Sequence, residues 1–156
     1  MDENGPVEVL PPDGKDVKNL TFKYADGRIM VRAGQEEGHG NVNGVLFLGD
    51  KGKVEVNRGY LKTWPDDLAG KKIAPNETRL YKSNNHYTDF LDAVRTRQKP
   101  ICDIAIGYST VIVCHMGNIA YQLKRPLKYD QAKQEFVNDA DATALMGRAM
   151  RAPWKL

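Results

Sequence analysis

The chain has 156 residues, which is the usual length of one domain and leaves room for one sizeable hydrophobic core. Hydrophobic residues make up 41% and charged residues 28% of the sequence, a balance typical of a folded globular protein and unlike that of a disordered chain. The formal net charge is +3 and the basic residues are scattered, so the composition excludes the clustered basic surface by which proteins bind nucleic acid or anionic lipid.

Three local features bear on the cellular compartment and on membrane association. Residues 1–6 have neither the basic start nor the apolar core of a secretory signal, which predicts a cytoplasmic protein. Cys102 and Cys114 form no C-x-x-C pair, so we predict two reduced, largely buried thiols and no metal site. Residues 104–123 carry no charge, but seven polar side chains and two glycines interrupt them. We therefore predict a buried helix, and no membrane span, for this segment.

Alternating residues in the first part of the chain predict two β-hairpins. Apolar and polar residues alternate over residues 20–32, with Asp26-Gly27 as the turn. Residues 45–48 and 53–58 repeat this arrangement about a turn at 49–52, with the valines of the second strand expected to face inward. Strands of this half-polar kind predict an antiparallel sheet with one solvated face.

A glycine-rich segment, residues 34–44, lies between the hairpins and superficially suggests a phosphate-binding loop. A dinucleotide fingerprint requires G-x-G-x-x-G between a strand and a helix, whereas this segment reads G-x-G-x-x-x-G and leads into a strand. It is either a connecting loop or a loop that contacts a ligand. His39 lies within it and is correspondingly either an exposed loop residue or a ligand contact.

Residues 61–82 are expected to be irregular, and helices follow them. Asn84 or Asn85 can cap a helix that ends before Lys99, and one apolar face of this helix is expected to pack on the sheet. Asp103 caps a second helix over 104–124, whose apolar residues on nearly every side predict that other elements cover it.

A strand pair is predicted near 127–129 and 135–137. A last helix then begins at Asn138 or Asp139 and directs four apolar side chains toward the core, namely Ala142, Leu145, Met146 and Ala149. Because the strands come first and the helices later, the fold class is predicted to be α+β.

Polar residues near two histidines are candidate functional groups. His86 lies beside Asn84 and Asn85, with Asp89 three residues further on, so these four form either a helix cap or a site at one helix start. A second set forms a polar stripe along the long helix, namely Tyr108, His115, Asn118 and Gln122. These side chains either form a structural hydrogen-bond network or face water or a ligand. The sequence contains no serine-nucleophile motif, P-loop or paired metal ligands.

Several motifs together resemble the C-terminal domain of the glucose-fructose oxidoreductase, inositol dehydrogenase and MocA (Gfo/Idh/MocA) family. They are His86-Tyr87-Thr88-Asp89-Phe90-Leu91-Asp92-Ala93-Val94, Lys99-Pro100-Ile101-Cys102-Asp103, Gly107, Cys114-His115-Met116-Gly117-Asn118-Ile119-Ala120, Phe136-Val137-Asn138-Asp139 and Arg151-Ala152-Pro153-Trp154. The resemblance covers most of residues 20–156. It implies an open, mostly antiparallel sheet with helices packed on one face.

The resemblance also implies a two-domain enzyme that transfers a hydride between NAD or NADP and a sugar or cyclitol. Members bind the nucleotide in an N-terminal Rossmann half, shape the substrate pocket in the C-terminal half and often form homo-oligomers through the sheet face. The dinucleotide glycines, the Glu-Lys-Pro segment and the Asp-x-x-x-His pair of the family are missing here. We therefore expect no catalytic, cofactor-binding or metal-binding residues in this chain.

From this resemblance, residues 1–156 are expected to form a single C-terminal substrate-binding and oligomerisation domain without its Rossmann domain. Such a chain is not catalytic alone. The segment before residue 86 matches the part of the family that lines the substrate pocket, so His86, Asn85 and Asn84 are the predicted substrate contacts. The alternative function is a non-enzymatic module that self-associates or binds another protein through its sheet.

Overall fold

A computed structural model gives the structure of the chain and describes residues 5–32, 44–79 and 81–154. Most of the predicted loop at 34–44, including His39, lies outside these described residues. The chain forms two compact units: residues 1–33 with 88–156 make up the first, and residues 34–87 the second. The expectation of a single substrate-binding and oligomerisation domain stays a prediction.

The described elements follow one another in this order: β1 (Glu8–Leu10), β2 (Thr21–Lys23), β3 (Ile29–Val31), β4 (Val45–Gly49), β5 (Gly52–Asn57), β6 (Tyr60–Trp64), a 3-10 helix (Asp66–Gly70), α1 (His86–Thr96), α2 (Ile104–Leu123), β7 (Leu127–Asp130), β8 (Glu135–Phe136) and α3 (Ala140–Ala144). The strands form two antiparallel sheets, so the predicted α+β class is confirmed. Both predicted hairpins and the strand pair after α2 are present. Strand β1 was not predicted, because three residues between prolines are too short for a periodic pattern.

The first unit contains a five-stranded sheet in the order β3-β2-β1-β7-β8. Val9 lies opposite both Phe22 and Leu127, so these three side chains share one face of the sheet. They form the core together with the other buried apolar residues of this unit, namely Leu20, Met116, Ile119, Ala120, Tyr129, Phe136 and Ala142. The hydrophobic core therefore joins the centre of the sheet to α2 and α3.

Helix α2 contributes only part of its length to this core. Asp103 caps it by accepting a hydrogen bond from the backbone N–H of Ala105 at 2.9 Å, as predicted. Its buried residues all lie between Met116 and Ala120, whereas Ile104 is 85% exposed. The prediction that other elements cover α2 on nearly every side is therefore wrong, because the sheet contacts only one face of its C-terminal half.

Helix α2 is also long and apolar enough to cross a membrane by length and composition alone, with a mean hydropathy of 1.3. The core helix of a soluble protein passes the same test, and α2 does supply core residues. The expectation that α2 does not span a membrane stays a prediction.

Two glycines of α2 provide a matched pair for testing its contact with the sheet. A Cβ on Gly117 would lie 2.8 Å from Leu20 Cδ2 and 3.2 Å from Phe22 Cζ, whereas a Cβ on Gly107 would meet nothing within 4 Å. We expect Gly107→Ala to raise the free energy of unfolding by about 1 kcal/mol through helix propensity. Gly117→Ala should lower it by about 1–2 kcal/mol, because overpacking outweighs that gain. Denaturant titration measures both, and equal stabilisation by the two substitutions would contradict this close contact.

Helix α3 is shorter than predicted and is anchored by an ion pair. Asp139 accepts a hydrogen bond from the backbone N–H of Ala142 at 3.0 Å and forms a two-bond ion pair with the Arg125 guanidinium. Ala142 is buried as predicted, but α3 ends at Ala144. Leu145, Met146 and Ala149 are therefore exposed, which contradicts the expectation that they point toward the core.

The ion pair between Arg125 and Asp139 makes the stability of the first unit depend on pH. Hydrogen bonds from Arg125 and Ala142 lower the pKa of Asp139 from 3.8 to about 2. Because the folded state holds this carboxyl proton less tightly than the unfolded chain does, the stabilisation is complete above the ordinary pKa and is lost as the pH falls toward 2. Asp139→Asn keeps the cap but loses the charge. Its Tm should lie below that of the wild type at neutral pH and converge with it near pH 2. Exposed Asp50→Asn is the control, and a Tm difference independent of pH would contradict the assignment.

The second unit contains a three-stranded sheet in the order β4-β5-β6. Strand β6 and the 3-10 helix lie largely within residues 61–82, which were predicted to be irregular, so that prediction is wrong for residues 61–64 and 66–70. Thr63 links the two elements, because its hydroxyl donates to the Asp66 carbonyl at 3.1 Å and accepts from the Ala69 N–H at 3.3 Å. Pro65 precedes the 3-10 helix and Gly70 is its last residue, so neither prevents it.

Burial in this sheet does not follow the predicted assignment of its two faces, because each face carries both covered and exposed residues. Glu55 is buried, although it was expected to face outward, and the Tyr60 hydroxyl donates to its Oε2 at 3.4 Å. Val56, expected to face inward, is exposed. The predicted alternation is correct, but the valines lie on the face that is covered only near Thr63.

Cys102 and Cys114 are free but exposed, so the prediction of largely buried thiols is wrong in that respect.

Candidate functional site

The three predicted substrate contacts lie together at the start of α1. Asn84, Asn85 and His86 are consecutive and all exposed, and α1 begins at His86. The Asn85 Oδ1 accepts a hydrogen bond from the backbone N–H of Tyr87 at 2.9 Å, which is the contact of a helix N-cap. The cap therefore exists, and it leaves the side chains of Asn84 and His86 at the surface beside it.

The imidazole of His86 contacts the ring of the next residue. The centroids of the His86 and Tyr87 rings are 4.1 Å apart, with an angle of 35° between their planes. This contact supports one face of the imidazole and orients a group that can both donate and accept hydrogen bonds. The pair presents an aromatic and a polar surface side by side, a combination suited to a hydroxylated ligand.

Asp89 does not join these groups, although the sequence allowed four polar side chains to converge. Its Oδ2 accepts a hydrogen bond from the backbone N–H of Ile101 at 3.0 Å, twelve residues along the chain. The carboxylate is thus engaged with the segment that precedes α2. The sequence spacing placed it on the correct helix but could not reveal this distant partner.

The apolar stripe of α1 is exposed. Tyr87, Phe90, Leu91 and Val94 are 45–70% exposed, and none of the α1 residues, all of which are described, is buried. The prediction that this face packs on the sheet is therefore wrong. The helical spacing itself was correct, since the helix spans the predicted residues.

The polar stripe of α2 lies on its solvent-exposed side. His115, Asn118 and Gln122 are exposed, and the Tyr108 hydroxyl donates to Gln134 Oε1 at 2.9 Å. Of the alternatives that the sequence left open, exposure to water fits His115 and Asn118, and a structural hydrogen bond fits Tyr108. This stripe contributes no described group to the start of α1.

The three-stranded sheet carries an apolar surface that the sequence did not assign correctly. Strand register places five apolar side chains on one side, which we call the valine face: Val45, Phe47, Val54, Val56 and Leu61. Four of them are exposed, with Phe47 at 58%. The opposite side carries Lys53, Glu55 and Lys62 together with Leu46, Leu48 and Trp64, and the Lys62 Nζ lies 4.9 Å from the Trp64 ring centroid. The alternation in β5 was the signal for this surface, but it was interpreted as a buried face.

One ionisable group of this sheet has a shifted pKa. Burial and the neighbouring Glu55 carboxylate raise the pKa of the Tyr60 hydroxyl, because both disfavour the phenolate. Tyr60 therefore acts as a neutral hydrogen-bond donor to Glu55 at physiological pH. This pair supports the polar side of the sheet and gives no indication of acid–base catalysis.

The described residues do not fit a bound metal or dinucleotide. Among them, no three His, Cys, Asp or Glu residues are grouped as metal ligands. A dinucleotide requires a strand, a glycine-rich turn and a helix that directs its N-terminus at the pyrophosphate. The described strands pair only antiparallel, and the described part of the chain contains no such unit.

Comparison with known proteins identifies the family. The sequence matches the family described as "Oxidoreductase family, C-terminal alpha/beta domain" over residues 12–156. Searches of curated proteins and of solved structures give no match. The matched range includes α1, α2, the second unit and seven of the eight described strands. The chain therefore belongs to the Gfo/Idh/MocA oxidoreductase family, as its C-terminal α/β domain.

Proposed function

We propose that this chain is the substrate-binding and oligomerisation half of a NAD(P)-dependent sugar or cyclitol oxidoreductase, and that it does not catalyse hydride transfer alone. The family match over residues 12–156 carries this proposal. Hydride transfer requires the nicotinamide to be held against the reacting carbon, with an acid or base beside it. The described residues do not fit the dinucleotide, so the cofactor would be bound by another domain.

The start of α1 is the proposed contact for the substrate. Asn84, Asn85 and His86 are exposed there and carry amide and imidazole groups. Such groups suit a polyol, because each hydroxyl of the ligand both donates and accepts hydrogen bonds. The Tyr87 ring beside His86 adds an apolar surface for the C–H groups of a sugar or cyclitol ring.

The valine face is the proposed surface for self-association. An exposed apolar patch of neighbouring side chains is unusual on a monomer and marks an association surface. A two-fold axis through this patch would place the valine face of one copy against that of the other, burying Phe47 and Leu61 in both copies. This assignment supports a homo-oligomer formed through a sheet face.

Titration of the purified chain with myo-inositol and D-glucose tests the proposed substrate site. We expect calorimetry to detect binding of at least one of them to the wild type, and His86→Ala to weaken that binding about tenfold, as expected for one lost hydrogen-bonding side chain. His115→Ala removes an exposed histidine from α2 and should leave the binding constant unchanged. Equal binding by wild type and His86→Ala would exclude the α1 site.

The valine face also favours a second function, in which the chain is a non-enzymatic module that only self-associates. This alternative predicts a stable dimer with no affinity for either polyol. The same titration therefore distinguishes the two functions, because only the oxidoreductase half is expected to bind a polyol at His86.

A further inference from the structure

Helix α1 is held in place by little apolar packing. None of its residues is buried, and the side chains of its apolar stripe are exposed. Apolar packing normally fixes the position of a helix against the rest of a domain. The first turn of α1 must therefore depend largely on polar contacts for its stability.

Asp89 makes such a contact with a distant segment. Its carboxylate, which is only partly exposed, accepts the Ile101 N–H at 3.0 Å. Ile101 lies two residues before Asp103, which caps α2 through the Ala105 N–H at 2.9 Å. Asp89, in the first turn of α1, is thus joined to the segment before α2 by one carboxylate–amide hydrogen bond, and bonds of this charge-assisted kind are among the stronger ones in proteins.

We propose that Asp89 is a positioning residue for the polyol site. His86 lies three residues before Asp89 on the same helix, a spacing at which side chains are neighbours. By accepting the Ile101 N–H, Asp89 stabilises the first turn of α1, which is the turn that carries His86. Its carboxylate is engaged with Ile101 and acts on the substrate only through the helix. This inference rests on the proposed function.

Three variants separate this role from a general effect on folding. Asp89→Ala removes the acceptor, whereas Asp89→Asn keeps an oxygen that can accept the Ile101 N–H. Asp92→Ala is the matched control, because Asp92 lies on the same helix and its side chain pairs only locally with Arg95 at 3.3 Å. Thermal unfolding checks that all three variants remain folded.

The first measurement is amide hydrogen exchange of the first turn of α1 in the ligand-free chain. We expect faster exchange in Asp89→Ala and wild-type exchange in Asp89→Asn and Asp92→Ala. Unchanged exchange in Asp89→Ala would overturn the proposal, whether or not the chain binds a polyol.

The second measurement follows the His86 ring resonance by NMR during titration with myo-inositol and D-glucose. We expect Asp89→Ala to bind about tenfold more weakly than wild type, because binding must then supply the ordering that the intramolecular hydrogen bond provided, with the affinity restored in Asp89→Asn. Wild-type affinity in Asp89→Ala would overturn the positioning role and leave the proposed function standing. Absence of any His86 shift in the wild type would overturn both, and the exchange data would then assign Asp89 a structural role.

Discussion

Replacing Phe22 with alanine is expected to lower the free energy of unfolding of the first unit by about 3–5 kcal/mol. Phe22 is 4% exposed, lies opposite Val9 in the sheet and contacts α2 at Gly117. Truncation removes apolar contact area and leaves a cavity between sheet and helix, since close-packed neighbours relax only partially. Denaturant unfolding followed by circular dichroism measures the change.

Phe90→Ala is the control for the loss of an aromatic side chain. Phe90 lies on the exposed stripe of α1 and is itself 60% exposed, so its truncation should change the free energy of unfolding by less than about 0.5 kcal/mol. Phe22→Leu keeps most of the side-chain volume and should lower the free energy of unfolding far less than Phe22→Ala does. This variant still gives a measurement if the alanine variant fails to fold. Similar losses for Phe22→Ala and Phe90→Ala would show that the core has been placed incorrectly.

The second large effect concerns self-association. We expect the wild type to sediment as a dimer at micromolar concentration, and Phe47→Asp to weaken dimerisation by roughly 100-fold or more, because an unpaired charge would be buried in the apolar interface. Phe47 lies on the edge strand β4, where it is opposite Val54 on the valine face. Analytical ultracentrifugation over a concentration series measures the dissociation constant.

Leu48→Asp provides the matched control for this charge. Leu48 is the next residue of β4 and is 68% exposed, but it points to the opposite side of the sheet, because successive side chains of a strand alternate. Its substitution adds the same charge at a similar exposure and should leave the dimer intact. A monomeric wild type, or equal weakening by both substitutions, would contradict self-association through the valine face.

The sequence predicted elements with local signals well and their packing less well. The α2 boundaries followed from Asp103 as cap and Pro126 beyond its end, and both hairpins followed from alternation and turn glycines. Such signals act within a few residues, so they do not depend on how the rest of the chain folds. Strand β6 and the 3-10 helix were missed, because Pro65 and Gly70 look like loop residues when pairing with β5 is unknown.

Burial was the main failure, and its cause is physical. An apolar stripe shows which side of a helix or strand can be buried, but a distant element determines whether that side is covered. In α2 the sheet covers the face around Gly117 and not Ile104, and in β5 Glu55 is buried while Val56 is exposed. The α2 assignment depends on contacts between residues far apart in the sequence, which periodicity cannot report.

The candidate site shows the same division between local and distant information. Asn84 and Asn85 were the two predicted caps, and Asn85 is confirmed as the one that caps α1, since that interaction spans two residues. Asp89 was grouped with His86 by spacing, yet its hydrogen-bond partner is Ile101, twelve residues away. The substrate contacts themselves came from the family resemblance, and their binding role stays a prediction until a ligand is measured.

The most direct test of the central claim compares nicotinamide and polyol binding to the same purified chain by isothermal titration calorimetry. If the chain is the substrate-binding half that we propose, it should bind myo-inositol or D-glucose and show no specific heat with NADH or NADPH. Micromolar affinity for either nucleotide would contradict the account, because it would require a dinucleotide site that the described residues do not fit.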